Sequence, residues 1–450
     1  MAPDGADVRS TLRQFLALER DVLVLSVAMF AFSLGFQMTS RYIPRYMSVL
    51  GAGAVAIGLF GTFGNAISAV YPYPGGAVSD RIGSRLALTL FGLASTVGFL
   101  VWLFAGLFGT VTVPALGTTV GILGREIVVG WLEPAVVPVG IFLGLVFAQA
   151  WKSFGLGATF AVVKQAVEPD RLATGFASTE TVRRTAFLLG PLFAAGILTT
   201  FAFETGFRVI LAVAAAFGFA ATLTQHFLYD ASEDSLGKSF EGVSTVVADL
   251  RSMPEELRPL LVADTLVRFG NGMVYVFFVI VVTEFLSVGV RLPLVGSLSP
   301  DAYFGVLLAI EMLVALLIML PVSRLSRRIG LRPVVALGFS VYAVFPVLLI
   351  NAPESAGVLA LLFALSGLRF AGLPAHKALI VGPAEAGTGG RVTGAYYLVR
   401  NVVVIPSAAV GGAIYAVSPV TAFSVATGVG LVGLALFVVF GREFEAAVAG

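Results

Sequence analysis

The chain has 450 residues, of which 58% are hydrophobic and only 12% are charged, whereas soluble domains are about a quarter charged. Such a composition cannot cover a water-facing exterior, so it predicts an exterior that faces lipid. The net charge of +2 gives no strong field for nucleic acid. The absence of cysteine excludes a disulfide framework and a thiolate metal site, and the two histidines, His226 and His376, have no nearby carboxylate at metal-ligand spacing in the sequence.

The first segment of the chain, residues 1–21, is charged and precedes an apolar run long enough to span a membrane. It therefore predicts a cytoplasmic N-terminal segment rather than a signal peptide. Arginines alternate here with leucine and phenylalanine, which favours a short amphipathic helix on the membrane surface.

Apolar runs of about 20 residues predict twelve membrane spans. Numbered in chain order, their ranges are 22–40, 55–74, 86–108, 136–167, 176–199, 207–228, 260–286, 302–323, 333–351, 357–382, 393–417 and 420–440. The polar stretch 229–258 divides them into two sets of six. The expected organisation is an N-terminal bundle (22–228), a cytoplasmic central loop (229–258), a C-terminal bundle (259–441) and a tail (442–450).

The segment 109–124 is uncharged but short and rich in glycine and threonine. Arginines follow both span two and span eight, and the positive-inside rule places both of those loops in the cytoplasm. An additional span between them would put them on opposite sides of the membrane. We therefore expect 109–135 to be an extracytoplasmic loop, or partly re-entrant, and both termini to be cytoplasmic.

The two halves of the chain resemble each other at two corresponding places. VSDRIGSR (78–85) follows span two, and LSRRIGLR (325–332) follows span eight. WKSFGLGATFAVV in span four aligns with LRFAGLPAHKALI in span ten, which matches Lys152 with Arg369. Two matches in the same order indicate duplication, and duplicated six-helix halves with a site at their interface are a transporter architecture.

The stretch GGAVSDRIGSR (75–85) resembles the signature of the major facilitator superfamily, Gly-x-Leu-[Ser/Ala]-Asp-Arg-x-Gly-Arg-[Arg/Lys]. The matching residues are Gly76, Ser79, Asp80, Arg81, Gly83 and Arg85. Val78 replaces the leucine and Ser84 replaces an arginine. The resemblance covers essentially the whole chain. It implies an all-α membrane protein of two pseudo-symmetric six-helix bundles that moves a small solute by alternating access.

A second segment, GPLFAAG in span five, resembles the Gly-Pro motif of the family's antiporters. Gly190 and Pro191 agree with that motif, whereas alanines stand where further glycines are usual. This resemblance favours export. The alternative is an ordinary helix contact with a proline kink, because small residues let helices approach closely.

Three charged residues, Lys152, Arg369 and Glu311, lie near the middle of spans. A charge at this depth is costly unless it is paired with an opposite charge or hydrated. Spans one, four, seven and ten line the cavity in the family, so the resemblance implies that Lys152 and Arg369 face each other and bind an anionic group. The alternative is that each cation is paired internally, for example Arg369 with Glu311. Glu311 is also the proton-coupling candidate. Further cavity candidates are Gln37, Gln149, Asn271 and Tyr275.

Opposite charges at the cytoplasmic helix ends predict a gate. We expect Asp80 to contact Arg400 or the N-terminus of span eleven, and Glu180 to contact Arg327 or Arg328. These pairs would hold the cytoplasmic side shut in the outward-open state. The alternative for Glu180 is an i,i+4 pair with Arg184, and Asp264 is expected to pair in the same way with Arg268.

These features together predict a monomeric secondary transporter in the cell membrane. We expect it to be proton-coupled and to favour efflux of a small organic solute, without a cofactor or a metal. The alternatives are an uncoupled facilitator or a proton-coupled importer of an organic anion. An enzyme is disfavoured because the sequence has no nucleophile motif, Walker loop or dinucleotide-binding glycine pattern.

Overall fold

The computed structural model describes residues 20–122, 125–131, 134–154, 172–230, 254–292, 296–381 and 389–443. Within these ranges, ten helices are long and apolar enough to cross a membrane, and the bent pair Ala54–Val70 and Pro74–Ile82 makes an eleventh. The shorter apolar helix Val139–Phe154 occupies predicted span four, whose later part lies outside the described residues. The expected all-α membrane fold is therefore confirmed. The predicted surface helix before residue 20 and most of the predicted central loop lie outside the described ranges.

The described residues of the first half form eight α-helices. They are α1 (Arg20–Thr39), α2 (Ile43–Val49), α3 (Ala54–Val70), α4 (Pro72–Ile82), α5 (Ser84–Leu103), α6 (Val139–Ala148), α7 (Leu172–Thr200) and α8 (Phe203–Leu228), with a π-helical turn at Ala150–Phe154. Helix α1 packs against α7 and α8, and α5 packs against α6 and α8. Small residues permit these close contacts, since Gly35 lies against Ala214.

In the second half, the part of the chain that the structure describes forms nine α-helices. They are α9 (Arg258–Val274), α10 (Phe278–Ile280), α11 (Pro300–Ile329), α12 (Leu331–Ile350), α13 (Ala356–Gly367), α14 (Leu373–Val381), α15 (Gly389–Val404), α16 (Ser407–Val417) and α17 (Pro419–Phe440). Predicted spans seven and ten are among those that form broken helices. Span seven continues from α9 through a 3-10 turn (Tyr275–Phe277), α10 and a π-helical turn (Val281–Phe285), and span ten joins α13 to α14 through a 3-10 turn at Leu368–Phe370. Such breaks free backbone groups and redirect side chains within a span.

The region between α5 and α6 is not a helical span, as expected, and it contains strand pairs that the sequence analysis did not predict. Strand β1 (Thr110–Val113) pairs antiparallel with β4 (Ala135–Pro138), and β2 (Leu116–Ile122) pairs antiparallel with β3 (Arg125–Trp131). Valine and threonine are frequent in these strands and favour extended backbone. A third antiparallel pair, β5 (Val290–Leu292) and β6 (Gly296–Leu298), precedes α11.

The two halves share one hydrophobic core at one end of the bundle. We call this end the Arg45 end; α1 and α10 finish there and α11 begins there. We call the opposite end, where α4 finishes and α5 begins, the Asp80 end. The most extensive helix contacts between the halves join α3 with α16 and α7 with α11. The outside of the bundle carries large exposed apolar side chains, among them Leu317, Leu361 and Val439, as expected for a surface in contact with lipid.

Candidate functional site

A cavity of about 320 Å³ lies between the two halves. Helix α3 of the first half contributes Gly61 and Asn65, and the second half supplies the remainder of the lining. The polar lining residues of the second half are Arg268, Asn271, Tyr275, Tyr342, Arg369, Arg400 and Asn401. Three guanidinium groups beside two phenol rings suit a planar molecule that carries an anionic group, because guanidinium binds carboxylate or phosphate through two parallel hydrogen bonds.

Arg369 reaches the cavity from the 3-10 turn that interrupts span ten. Its guanidinium forms a close ion pair with Glu311, and both side chains are at most 4% exposed. Ser366 Oγ donates a hydrogen bond to Glu311 Oε1 at 3.1 Å. The internal pairing considered from the sequence is therefore present. Arg369 Nε nevertheless has no hydrogen-bond partner among the described residues, and the guanidinium carbon lies 5.2 Å from the centroid of the Tyr342 ring.

A second buried carboxylate, Asp264, lies at the centre of a polar cluster in the second half. Its Oδ1 atom accepts a 2.8 Å hydrogen bond from Arg268 Nε, so the expected i,i+4 pair is present. Its Oδ2 atom lies 3.1 Å from Arg400 Nη1, 3.2 Å from the Tyr396 hydroxyl and 3.3 Å from His376 Nε2. The carboxylate itself has no exposed surface, so a buried charge is compensated by several partners, as stability requires.

The first expected gate contact is not seen in this state of the molecule. Among the described side chains Arg400 forms no ion pair with Asp80, and instead it binds Asp264 of its own half. The contact was expected with the cytoplasmic side shut, so it stays a prediction for that state. The side chains of Glu180 and Arg327 lie outside the described part of the molecule, so the second expected gate contact stays a prediction.

Lys152 does not belong to the described lining of the cavity, so the expected arrangement of Lys152 facing Arg369 is not seen. Its ammonium group lies 4.6 Å from the centroid of the Phe36 ring, a cation–π contact. Of the other candidates, Asn271 and Tyr275 line the cavity, whereas Gln37 and Gln149 do not. Gln37 instead packs beside Gly190, which makes Gly190 a close helix contact between α1 and α7.

Some residues of the cavity were not expected from the sequence. Tyr342 and Asn65 are single polar residues in apolar runs, and nothing in their spacing distinguishes them from packing residues. Arg268 was assigned only to its pair with Asp264. A clearer signal was available for Arg268, Arg369 and Arg400 together, since all three are arginines inside spans of the second half.

The Arg45 end is closed by polar contacts between the halves. Arg45 donates from Nε to Asp301 Oδ1 at 3.1 Å and from Nη1 to Glu284 Oε1 at 2.5 Å. Ser48 Oγ donates to Glu284 at 2.7 Å, and the Tyr42 hydroxyl donates to the backbone carbonyl of Asp301 at 3.1 Å. Burial and the charge on Asp301 raise the pKa of Tyr42 above its ordinary value, so the hydroxyl remains a donor.

Helix packing closes the same end. A methyl group added to Gly58 of α3 would lie 2.5 Å from the carbonyl oxygen of Ala408 and 2.9 Å from Gly412 Cα. Both of these residues belong to α16. The backbone N–H of Ala409 donates to Thr62 Oγ1 at 2.9 Å. The halves are therefore in backbone contact here, which glycine allows.

The two signature loops have matching backbone geometry. Gly83 and Gly330 occupy corresponding positions after α4 and α11, and their φ angles are +86° and +89°, values that favour glycine. At Asp80 the first loop has a carboxylate that the second loop lacks. In the second half, Glu443 supplies one from the end of the described chain and accepts hydrogen bonds from the backbone N–H groups of Leu331 (2.5 Å) and Arg332 (2.8 Å).

Sequence comparison finds a distant relative of the chain. No known family profile matches the chain. The chain is 20% identical over 408 residues to an uncharacterized MFS-type transporter of Methanocaldococcus jannaschii, and the match covers 90% of this chain and 91% of the relative.

Structural comparison finds transporters of similar architecture. The nucleoside transporter NupG superposes with a TM-score of 0.70 at 13% identity, covering 94% of this chain and 100% of NupG. A POT family transporter in complex with 5-aminolevulinic acid gives 0.67 at 13% identity, covering 95% and 98%. The human organic anion transporter MFSD10 gives 0.57 at 16% identity, covering 93% and 99%. The chain therefore has the major facilitator fold, and the resemblance to that superfamily expected from its signature is confirmed.

Proposed function

We propose that the protein is a secondary active transporter that moves a small organic solute across a membrane by alternating access. The observation that carries this proposal is a cavity between two similar halves that are joined by ion pairs and helix packing at the Arg45 end. In this proposal the Arg45 end is extracytoplasmic and the cavity is loaded or emptied from the Asp80 end. Breaking the Arg45 contacts and closing the Asp80 end would give the outward-facing state.

The chemistry of the cavity supports a solute with an anionic group. Its lining has three arginines, of which Arg369 pairs with Glu311, while Arg268 and Arg400 share Asp264. Three positive and two negative charges leave one positive charge, which a carboxylate or phosphate on the solute would neutralise. Tyr275 and Tyr342 offer ring faces for an aromatic or planar portion.

Coupling to protons is part of the proposal, because the site contains buried titratable groups whose charge affects the arginines. Glu311 is the carrier predicted from the sequence, and it lies beside Arg369. The segment at Gly190 and Pro191 favours export. The three arginines favour the alternative, uptake of an organic anion together with protons. We also propose that the protein is a monomer in the cell membrane and that both of its termini are cytoplasmic.

Distance measurements between spin labels test alternating access. The chain has no native cysteine, so cysteine pairs can be introduced without background labelling. Val49→Cys with Phe285→Cys spans the halves at the Arg45 end, and Leu86→Cys with Ile329→Cys spans them at the Asp80 end; all four positions are exposed.

We expect each pair to show two distance populations in lipid. Conditions that lengthen the distance at the Arg45 end should shorten the distance at the Asp80 end. A single unchanging distance at both ends, across pH and added organic anions, would exclude alternating access.

A further inference from the structure

We propose that His376 is the proton-binding group of the transport cycle, and that a proton on His376 and an organic anion at Arg400 bind cooperatively through Asp264. This inference rests on the proposed function, since it identifies the coupling site of the same cavity. It differs from the expectation based on sequence, which assigned the proton to Glu311.

The geometry that supports the proposal is the sharing of one carboxylate oxygen. Asp264 Oδ2 lies 3.1 Å from Arg400 Nη1 and 3.3 Å from His376 Nε2. Arg400 comes from α15 and lines the cavity, whereas His376 comes from α14 and is only 3% exposed. The two basic side chains therefore compete for the same acceptor, one from the cavity and one from the protein interior.

The charge of the cluster changes with the state of His376. When His376 is neutral, Asp264 offsets one of the two charges on Arg268 and Arg400, which leaves a net charge of +1. When His376 is protonated, it binds Asp264 more strongly and the net charge becomes +2. Arg400 then loses part of its hold on Oδ2 and is available to an anion in the cavity. Linkage requires the reverse effect as well, so a bound anion must favour protonation of His376.

His376 is surrounded by groups from three helices. Helix α9 presents Asp264 and Arg268, and α15 presents Tyr396 and Arg400; Tyr396 Oη lies 3.4 Å from His376 Nε2. Helix α12 presents the uncharged ring of Phe339 at 5.9 Å. Arginine stays charged at all relevant pH values, and histidine is the side chain that ordinarily changes charge between pH 5 and 8. Cooperative binding of a proton and an anion corresponds to movement of both in the same direction.

The test is calorimetric titration of the full-length purified protein with benzoate at pH 6 and pH 8, with benzamide as the uncharged probe of the same shape. Benzoate is ionised at both pH values. The variants are His376→Gln, which retains an N–H donor, and Arg400→Gln. The chain offers a matched control in its other histidine: His226 lies in α8, where Nδ1 is 3.0 Å from Thr89 Oγ1, in the first half and outside the cavity lining.

We expect the Kd for benzoate to be on the order of tenfold lower at pH 6 than at pH 8 in the wild type and in His226→Gln. In His376→Gln the two values should be equal, and Arg400→Gln should weaken binding at both. Titrations in two buffers of different ionisation enthalpy should also show proton uptake with benzoate in the wild type. If His376→Gln does not fold, His376→Asn replaces it.

Two results would overturn the proposal. If the Kd for benzoate still depends on pH in the His376 variants, the proton binds elsewhere. Benzoate that binds no better than benzamide at either pH would remove the anion linkage altogether. Neither result affects the label distances at the two ends of the bundle, so the failure of this inference can be distinguished from the failure of alternating access.

Discussion

At the scale of single residues, the charges buried in the second half determine what the cavity can do. Two carboxylates, Glu311 and Asp264, are each buried against arginines. They differ in one respect that matters for coupling: Asp264 shares an oxygen with a histidine, whereas Glu311 is bound by Arg369 and Ser366. This difference predicts separate effects when either site is changed.

We expect Glu311→Gln to reduce stability while leaving proton uptake with benzoate intact. The substitution leaves the charge of Arg369 buried without a compensating anion, which costs about 3–5 kcal/mol. Thermal unfolding measures the loss, and titration in two buffers measures the protons taken up. Ser366→Ala is the matched control, because it keeps the ion pair and removes one hydrogen bond worth about 1 kcal/mol. Loss of proton uptake in Glu311→Gln would restore Glu311 as the carrier.

The sequence could predict the pairs that lie one helical turn apart, but not the contacts that cross the fold. Asp264 and Arg268 are four residues apart, so their pair follows from helical periodicity. Arg400 and His376 join the same carboxylate from 136 and 112 positions away along the chain, and one sequence contains no signal for that proximity. The expected Asp80–Arg400 contact belongs to the state that is shut on the cytoplasmic side, so it stays a prediction.

At the scale of elements, apolar runs predicted where the spans lie but not how they are interrupted. The breaks at Tyr275–Phe277 and Leu368–Phe370 bring Tyr275 and Arg369 to the cavity. The sequence at each break is compatible with a continuous helix, so the interruption could not be predicted. The strands β1 to β4 were missed because Gly and Thr were interpreted as loop residues, whereas the alternation of valine and threonine also favours strands.

Helix packing at the Arg45 end gives a prediction at this scale. Gly58→Ala places a methyl group against the backbone of α16, and overpacking of this kind costs about 1–3 kcal/mol. We therefore expect Gly58→Ala to favour the state in which the Arg45 end is open, and to lengthen the distance between labels at Val49→Cys and Phe285→Cys.

The control for this substitution lies in the same helix. At Gly64→Ala the nearest atom to the added methyl group is Gln149 Nε2 at 3.8 Å, an ordinary contact. This variant should leave the label distances unchanged and gain the usual helix preference of alanine. Equal effects of the two substitutions would mean that contact between α3 and α16 does not control opening.

At the scale of the whole molecule, the cross-half contacts at the Arg45 end determine which state is populated. Arg45 belongs to the first half, and Glu284 and Asp301 belong to the second. All three side chains are partly exposed, at 21%, 35% and 13%, so solvent weakens each pair and the ion pairs add only a small free energy to the closed state. A small free energy is what a transporter needs if both states are to be visited.

This balance predicts that Arg45→Ala will open the Arg45 end. Removing both ion pairs should cost the closed state about 1 kcal/mol, which changes the ratio of closed to open molecules about fivefold. Glu284→Gln should have a smaller effect in the same direction, because Arg45 keeps Asp301. Label distances at Val49→Cys and Phe285→Cys measure the change, and the Asp80 end should close to the same extent. The control is Glu204→Gln, which breaks an exposed pair with Arg208 inside α8 and should change neither distance; opening in this control, or none in Arg45→Ala, would show that these cross-half ion pairs do not hold the end closed.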